Sequence, residues 1–328
     1  MTMSPDWTRA VKLVDGADCV CLACHIRPDA DALGSMLAVA QALHGRGQQV
    51  VASFGDDPFA VPAILRFLPG LDLLSEPASY PAAPAVMMSF DASALDRLGS
   101  LTGPATAAGE LIVVDHHASN SGFGSVSLVD PGAAATAVLA AELIGRLGLR
   151  LTRDVATCLY AGLVTDTGSF RFSATTPEVH QLAARLLAAG ADPVAVSREL
   201  YDRAPFGYLG MLAAALDRAA LDREAARGLG LVWTTVTRAD RAPASLPMDA
   251  AESVIDEIRR TNEAEVAAVL KEDDQGVWQA SVRSKDVIDV GQACTQLGGG
   301  GHVRAAGFSY TGRANEAIAA LKRTLDGA

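Results

Sequence analysis

An α/β protein of two domains, the first built on a parallel sheet and the second smaller, is the architecture this sequence predicts. Three observations carry it. The 328 residues exceed the usual size of one domain. The first half alternates short apolar runs with helical patterns, the order that gives a parallel sheet covered on both faces. After Gly228 the texture changes to longer alternating strands joined by a hairpin signal.

Taken in order, "CVCLACH", "QVVASFG", "AVMMSFD" and "ELIVVDHH" read as strands. "ALGSMLAVAQALHGRG" reads as a helix with Leu33, Met36, Leu37, Ala40 and Leu43 on one stripe and Gly45 near its C-cap. "AATAVLAAELIGRLG" is a second helical stretch, and "DVATCLYAGLVTDTGSF" a third, until threonine and glycine interrupt it. From about 178 to 222 the chain reads mainly helical, broken at "GADP" and "DRAPFG". Beyond Gly228, "GLGLVWTTVT", "EVAAVLKE", "VWQASVRS" and "AAGFSYT" read as strands, with "DDQG" as a hairpin turn. This divides the chain into a first domain over 1–190, a helical connector over 191–222 and a second domain over 223–328.

Composition narrows the function. The formal charge of −11 disfavours long nucleic acid, which needs a basic surface to displace counterions, but leaves small anionic substrates open. No run of 18 apolar residues suggests a membrane span, and the N-terminus lacks an apolar signal-peptide core, so a cytoplasmic protein is expected. The five cysteines do not read as a disulfide framework. Cys19, Cys21 and Cys24 before His25 superficially suggest zinc, but strand period places Cys19 and Cys21 on one face as small buried hydrophobes.

The acids and histidines fall at strand ends. His25 ends the first strand, Asp91 the third, and Asp115, His116 and His117 the fourth; Asp166 stands where a helix is interrupted. In an open parallel sheet ligands bind beyond the carboxyl ends of the strands, so these residues converge there with Asp29 and Asp31 of "HIRPDADALGS". Alone, such a "DxD" is usually a helix cap. Together the acids would repel one another, and a pair of divalent cations removes that penalty. Oxygen and imidazole donors without thiolate favour manganese or magnesium, with zinc or cobalt open. Two ions about 3.5–4 Å apart suit in-line displacement at phosphorus, hence phosphoester hydrolysis. His44 and His180 have no such placement and read as solvated or helix-terminal.

"HIRPDADALGS", "SFDAS", "VVDHHASN" and "GLVTDTGSFRF" resemble the four motifs of the DHH phosphoesterase superfamily, and "GGGGHVRAAGF" resembles the signature of its DHH-associated C-terminal domain. The resemblance covers nearly the whole chain. It implies a manganese-dependent N-terminal domain, a smaller substrate-binding domain and an active site in the cleft between them. His25 and Asp29 would hold one metal, Asp31, His116 and Asp166 the other, and Asp91 both. Asp115 would orient a histidine, and His117 would face the substrate phosphate. In the second domain the resemblance assigns Arg283, Ser284, Gly300, Gly301 and His302 to the terminal phosphate and base of a short nucleotide. Physically, the glycine run permits close backbone approach and an anion nest, with His302 and Arg304 as cationic donors. Taken bare, such a run reads as a flexible loop.

Length and domain content point within the superfamily to stand-alone oligoribonucleases that also act as 3′,5′-bisphosphate nucleotidases. The first motif begins at residue 25, unlike the membrane-anchored cyclic-dinucleotide phosphodiesterases. The implied substrates are oligoribonucleotides of two to four nucleotides, including pApA, and adenosine 3′,5′-bisphosphate (pAp), with cyclic di-adenylate close by. Homodimers are common in that superfamily, and the residues themselves leave the oligomeric state open. A metal-dependent inorganic pyrophosphatase and a non-catalytic dinucleotide sensor are the alternatives.

Overall fold

A computed structural model describes residues 6–327. The chain divides into two compact units, the first running to Arg203 and the second beginning at Ala204. Among the described residues no helix is long and apolar enough to cross a membrane.

In the first unit the elements are α1 (Trp7–Asp15), β1 (Cys19–Cys24), α2 (Ala30–Gly45), β2 (Gln49–Phe54), β3 (Val86–Phe90), α3 (Thr102–Ala107), β4 (Glu110–Asp115), β5 (Val126–Val129), α4 (Thr136–Arg146), α5 (Arg153–Asp166), α6 (Pro177–Ala188) and α7 (Pro193–Tyr201). The strands form one sheet in the order β2-β1-β3-β4-β5, every pair parallel. Period two divides the side chains of β1 between its faces. Leu22 and Cys24 join the core beneath α2, α4 and α5, while Cys21 and Ala23 join a smaller cluster with Met87, Leu101 and Val113. Cys19 packs against that second cluster, and burial pushes the Cys21 thiol up to about 12, as expected of an inert, apolar cysteine.

One helix feature differs from the sequence reading, and the position of Gly45 beside the C-cap agrees with it. The stripe on α2 is no stripe, because residues 30–40 are all buried: α5 and α4 cover the side a surface helix would turn to water. Gly34 makes that approach close, since a Cβ there would stand 2.5 Å from the Cys158 carbonyl oxygen. The C-cap of α2 is Arg46, and Gly47 takes the left-handed turn with φ 88°.

The second unit contains α8 (Gly207–Asp217), β6 (Ala220–Asp222), α9 (Ala225–Gly228), β7 (Leu231–Val236), α10 (Arg238–Arg241), α11 (Val254–Ile258), β8 (Val266–Glu272), β9 (Val277–Ser284), α12 (Val290–Thr295), β10 (Gly300–His302), β11 (Ala305–Thr311) and α13 (Ala314–Leu325). Its sheet runs β10-β11-β9-β8-β7-β6, with β7 and β8 parallel and the other neighbours antiparallel. One face packs on α12 and α13, the other on α8 and α11. The glycine run is not a loop: Gly300–His302 forms the edge strand β10, paired with residues 305–307. Gly301, at φ 139°, has no room for a side chain, as a Cβ would meet the Ala305 carbonyl oxygen at 2.5 Å.

Candidate metal centre

Three parallel strands deliver the cluster. His25 follows β1, Asp91 follows β3, and Asp115 ends β4 with His116 and His117 behind it. Helices supply the rest. Asp29 is the N-cap of α2, its Oδ1 accepting the N–H groups of Asp31 and Ala32 at 3.0 and 2.9 Å. Its Oδ2 faces His25 Nε2 at 3.8 Å. The capping role and the candidate ligand role therefore fall to different oxygens of one carboxylate. Asp31 in the first turn of α2 and Asp166 at the last residue of α5 enter from the helical layer. Gly162 lets α5 come this close, because a Cβ there would lie 2.7 Å from Asp31 Oδ1.

Asp91 is central. Its Oδ2 is 3.5 Å from His25 Nε2, and its Oδ1 is 3.6 Å from His116 Nε2 and 3.7 Å from His117 Nδ1. Its backbone has φ 57°, a conformation that a non-glycine residue adopts at a cost and that clusters at functional sites. His116 Nε2 also lies 3.1 Å from Asp166 Oδ2 and 3.9 Å from Asp31 Oδ2.

The imidazoles are oriented by their other nitrogens. His25 Nδ1 is 2.8 Å from the Ile26 carbonyl and His116 Nδ1 is 3.1 Å from the Ala133 carbonyl. A carbonyl only accepts, so each Nδ1 carries the proton and each Nε2 turns to the carboxylates. His117 is set differently: its Nδ1 donates to Asp115 Oδ1 at 2.7 Å. Asp115 Oδ2 accepts from Asn120 Nδ2 at 2.6 Å, so both oxygens of Asp115 are engaged.

Electrostatics give the cluster its character. Burial alone would lower the imidazoles, but hydrogen bonds and charge from Asp29 and Asp91 raise His25 to about 10. Asp166, Asp91 and Asp31 likewise raise His116 to about 11. Burial and the neighbouring Asp166 and Asp91 push the Asp31 carboxyl well up, whereas the three histidines outweigh burial and hold Asp91 down. These acids demand positive charge, from protons on the imidazoles or from cations. The residues fit divalent ions on that ground and on geometry. His25, Asp29 and Asp91 form one convergent group, and Asp31, Asp91 and His116 a second, each with ligand atoms within 4.8 Å of one another.

Sequence reasoning missed the side chains that hold this cluster in place. The Thr136 hydroxyl donates to Asp91 Oδ1 at 2.7 Å. The N–H groups of Thr136 and Ala137, at the N-terminus of α4, donate to Asp31 Oδ2 and Oδ1 at 2.6 and 2.8 Å. A helix N-terminus is thus aimed at a buried carboxylate. The threonine at the start of "TAVLAAELIGR" was the available signal.

The expected substrate residues of the second unit lie on two strands. Arg283 and Ser284 end β9, but the pleat sends them to opposite faces: Arg283 is half-buried, and Ser284 is buried with its hydroxyl 3.5 Å from the Val303 carbonyl. The structure therefore does not bring these two side chains together. Gly300, Gly301 and His302 form β10, with His302 opposite Ala305 and Arg283 opposite the same Ala305 from the other side. Arg304 is turned to the Ile288 carbonyl at 3.0 Å.

Comparison with known proteins agrees with this layout. The DHH family N-terminal domain matches residues 19–163 and the DHHA1 domain residues 234–327. The chain is 34% identical over 307 residues to the bifunctional oligoribonuclease and PAP phosphatase NrnA of Thermus thermophilus, covering 92% of this chain and 86% of that one. It is 25% identical over 299 residues, with 90% of each chain covered, to a Streptococcus mutans protein named "probable bifunctional oligoribonuclease and PAP phosphatase NrnA". In fold it is similar to the crystal structure of an exopolyphosphatase-related protein from Bacteroides fragilis, with a TM-score of 0.85 at 22% identity, covering 98% and 95% of the two chains. With a 34% identical relative matched over most of both chains, and both family domains in order, the chain belongs to the DHH family of phosphoesterases.

Proposed function

We propose that this protein hydrolyses very short oligoribonucleotides to mononucleotides and removes the 3′-phosphate of pAp. Residues 1–190 are then the catalytic domain, 191–222 a connector and 223–328 the substrate-binding domain. The observation that carries the proposal is Asp91, one buried carboxylate shared by two convergent ligand groups. His25 and Asp29 complete one group; Asp31, His116 and Asp166 complete the other. Divalent cations at such a pair of groups supply an activated water and stabilise charge at phosphorus. Oxygen and imidazole donors favour manganese or magnesium over softer metals.

The chain's own residues position this chemistry. Thr136 holds the Asp91 carboxylate, and the N-terminus of α4 holds Asp31, so neither needs to reorganise when charge develops. His117, its ring fixed through Nδ1 by Asp115, is the residue assigned to a substrate phosphate oxygen. In the second domain, Arg283 offers a guanidinium for the terminal phosphate, with the backbone of Gly300, Gly301 and His302 on the far side of β11 in the same sheet. Ser284 supports the 303–304 turn through its hydroxyl. The names of the relatives favour nucleotides over inorganic substrates.

The test is a manganese-dependent time course on pApA, pAp, cyclic di-adenylate and pyrophosphate in parallel. Release of AMP from pApA and pAp is expected. Hydrolysis of pyrophosphate alone would make the protein an inorganic pyrophosphatase, and silence on all four with metal bound would leave a binding protein.

A further inference from the structure

Two arginines stand at the His25 end of the cluster, outside the ligand set. Arg97 lies in the segment after β3, where its carbonyl accepts the Ile26 N–H at 2.8 Å. Its side chain brings Nη2 to 3.4 Å from His25 Nδ1. That nitrogen already donates to the Ile26 carbonyl, so the contact sets two donors side by side and does not occupy the guanidinium. Arg27 sits in the turn between His25 and Asp29, held at φ 51° with its N–H bonded to Asp56 Oδ2 at 2.7 Å.

Among the described residues, no carboxylate lies within 4.0 Å of either guanidinium. Burial and the charge of Arg27 both disfavour the cation on Arg97, while the charges of Asp29, Asp91 and Asp96 favour it; burial prevails, and the guanidinium is held below its ordinary value. A half-buried arginine beside a second arginine, with its hydrogen-bond donors uncommitted to an acid, is a site that an anion completes. The anion class follows from position: the Arg97 guanidinium adjoins His25, an imidazole that would help hold a metal at a phosphoryl centre.

We propose that Arg97, flanked by Arg27, is a catalytic residue that grips the phosphoryl group being hydrolysed, donating to its non-bridging oxygens at the His25 end of the cluster. This rests on the phosphoesterase reading above. Arginine suits the task because its fork can reach two oxygens of one phosphate, which a lysine cannot do.

The experiment uses the full chain loaded with manganese and three variants, Arg97→Ala, Arg97→Lys and Arg27→Ala. Three quantities are read: bound metal by elemental analysis, affinity for inorganic phosphate by calorimetry, and kcat on pApA. For Arg97→Ala, unchanged metal, at least tenfold weaker phosphate binding and a kcat about 10²-fold lower are expected, the scale of losing one transition-state donor. Arg97→Lys should recover only a small part, and Arg27→Ala should weaken phosphate binding with a smaller effect on kcat. Wild-type phosphate affinity in Arg97→Ala overturns the proposal, as does loss of metal, which would make Arg97 a support for His25. A wild type that binds phosphate through Arg97 but leaves pApA and pAp intact would instead overturn the substrate reading alone; one that binds no phosphate overturns the arginine site.

Discussion

Asp91 combines a left-handed backbone, three histidines within 3.7 Å and a threonine hydroxyl bond in one residue. Such a conformation costs on the order of 1–3 kcal/mol and persists only where its surroundings impose it. Asp91→Asn should therefore abolish turnover and weaken binding of both metals, read by activity and metal stoichiometry; normal activity would end its bridging role. Thr136→Val keeps the shape and removes the hydroxyl, so a 10–100-fold loss of metal affinity or activity is expected, with the fold unchanged by circular dichroism. Gly162→Ala would press a methyl group against the Asp31 carboxylate and should lower metal content although no candidate ligand is substituted. The eight acids and histidines of this cluster were legible because strand ends in a parallel sheet converge by rule. Thr136, Asn120 and Arg97 were not, since each acts through a partner distant in sequence and none carries a pattern of its own.

At the level of elements, the first-unit strands β1 to β4 and the helices α2, α4 and α5 follow from runs of buried apolar residues and their alternation. β5 escaped because it has four residues and a mixed burial pattern, and β6 because it has three. The edge strand β10 escaped for a different reason. Glycine is a poor strand former, and only the close fit against β11 explains why glycines stand there. Gly301→Ala tests that fit: it should raise amide exchange over 298–306 and raise KM, leaving metal content unchanged. Arg283→Ala should also raise KM with metal retained, because its guanidinium contributes binding rather than chemistry. Loss of metal in Arg283→Ala would contradict the division of labour between the two units.

Over the whole molecule, the acidic cluster lies entirely within the first unit, whereas the second has its own sheet and core. Folding of the first unit brings Asp29, Asp31, Asp91 and Asp166 together, and their repulsion opposes it unless positive charge enters with them. Cations that bind the folded cluster and not the unfolded chain stabilise by mass action, about 2.7 kcal/mol when present at 100 times Kd. For a unit of this size each kcal/mol moves Tm by about 2–4 °C, so saturating manganese against chelator should raise Tm by roughly 5–10 °C. In Asp91→Asn the shift should nearly vanish, because both groups lose the negative charge of their shared carboxylate and one of them an oxygen donor. The same comparison by hydrogen exchange should place the added protection in β1, β3, β4 and the N-terminal turns of α2 and α4. Protection spread equally over β7 to β11 would mean that the ion acts elsewhere than on this cluster.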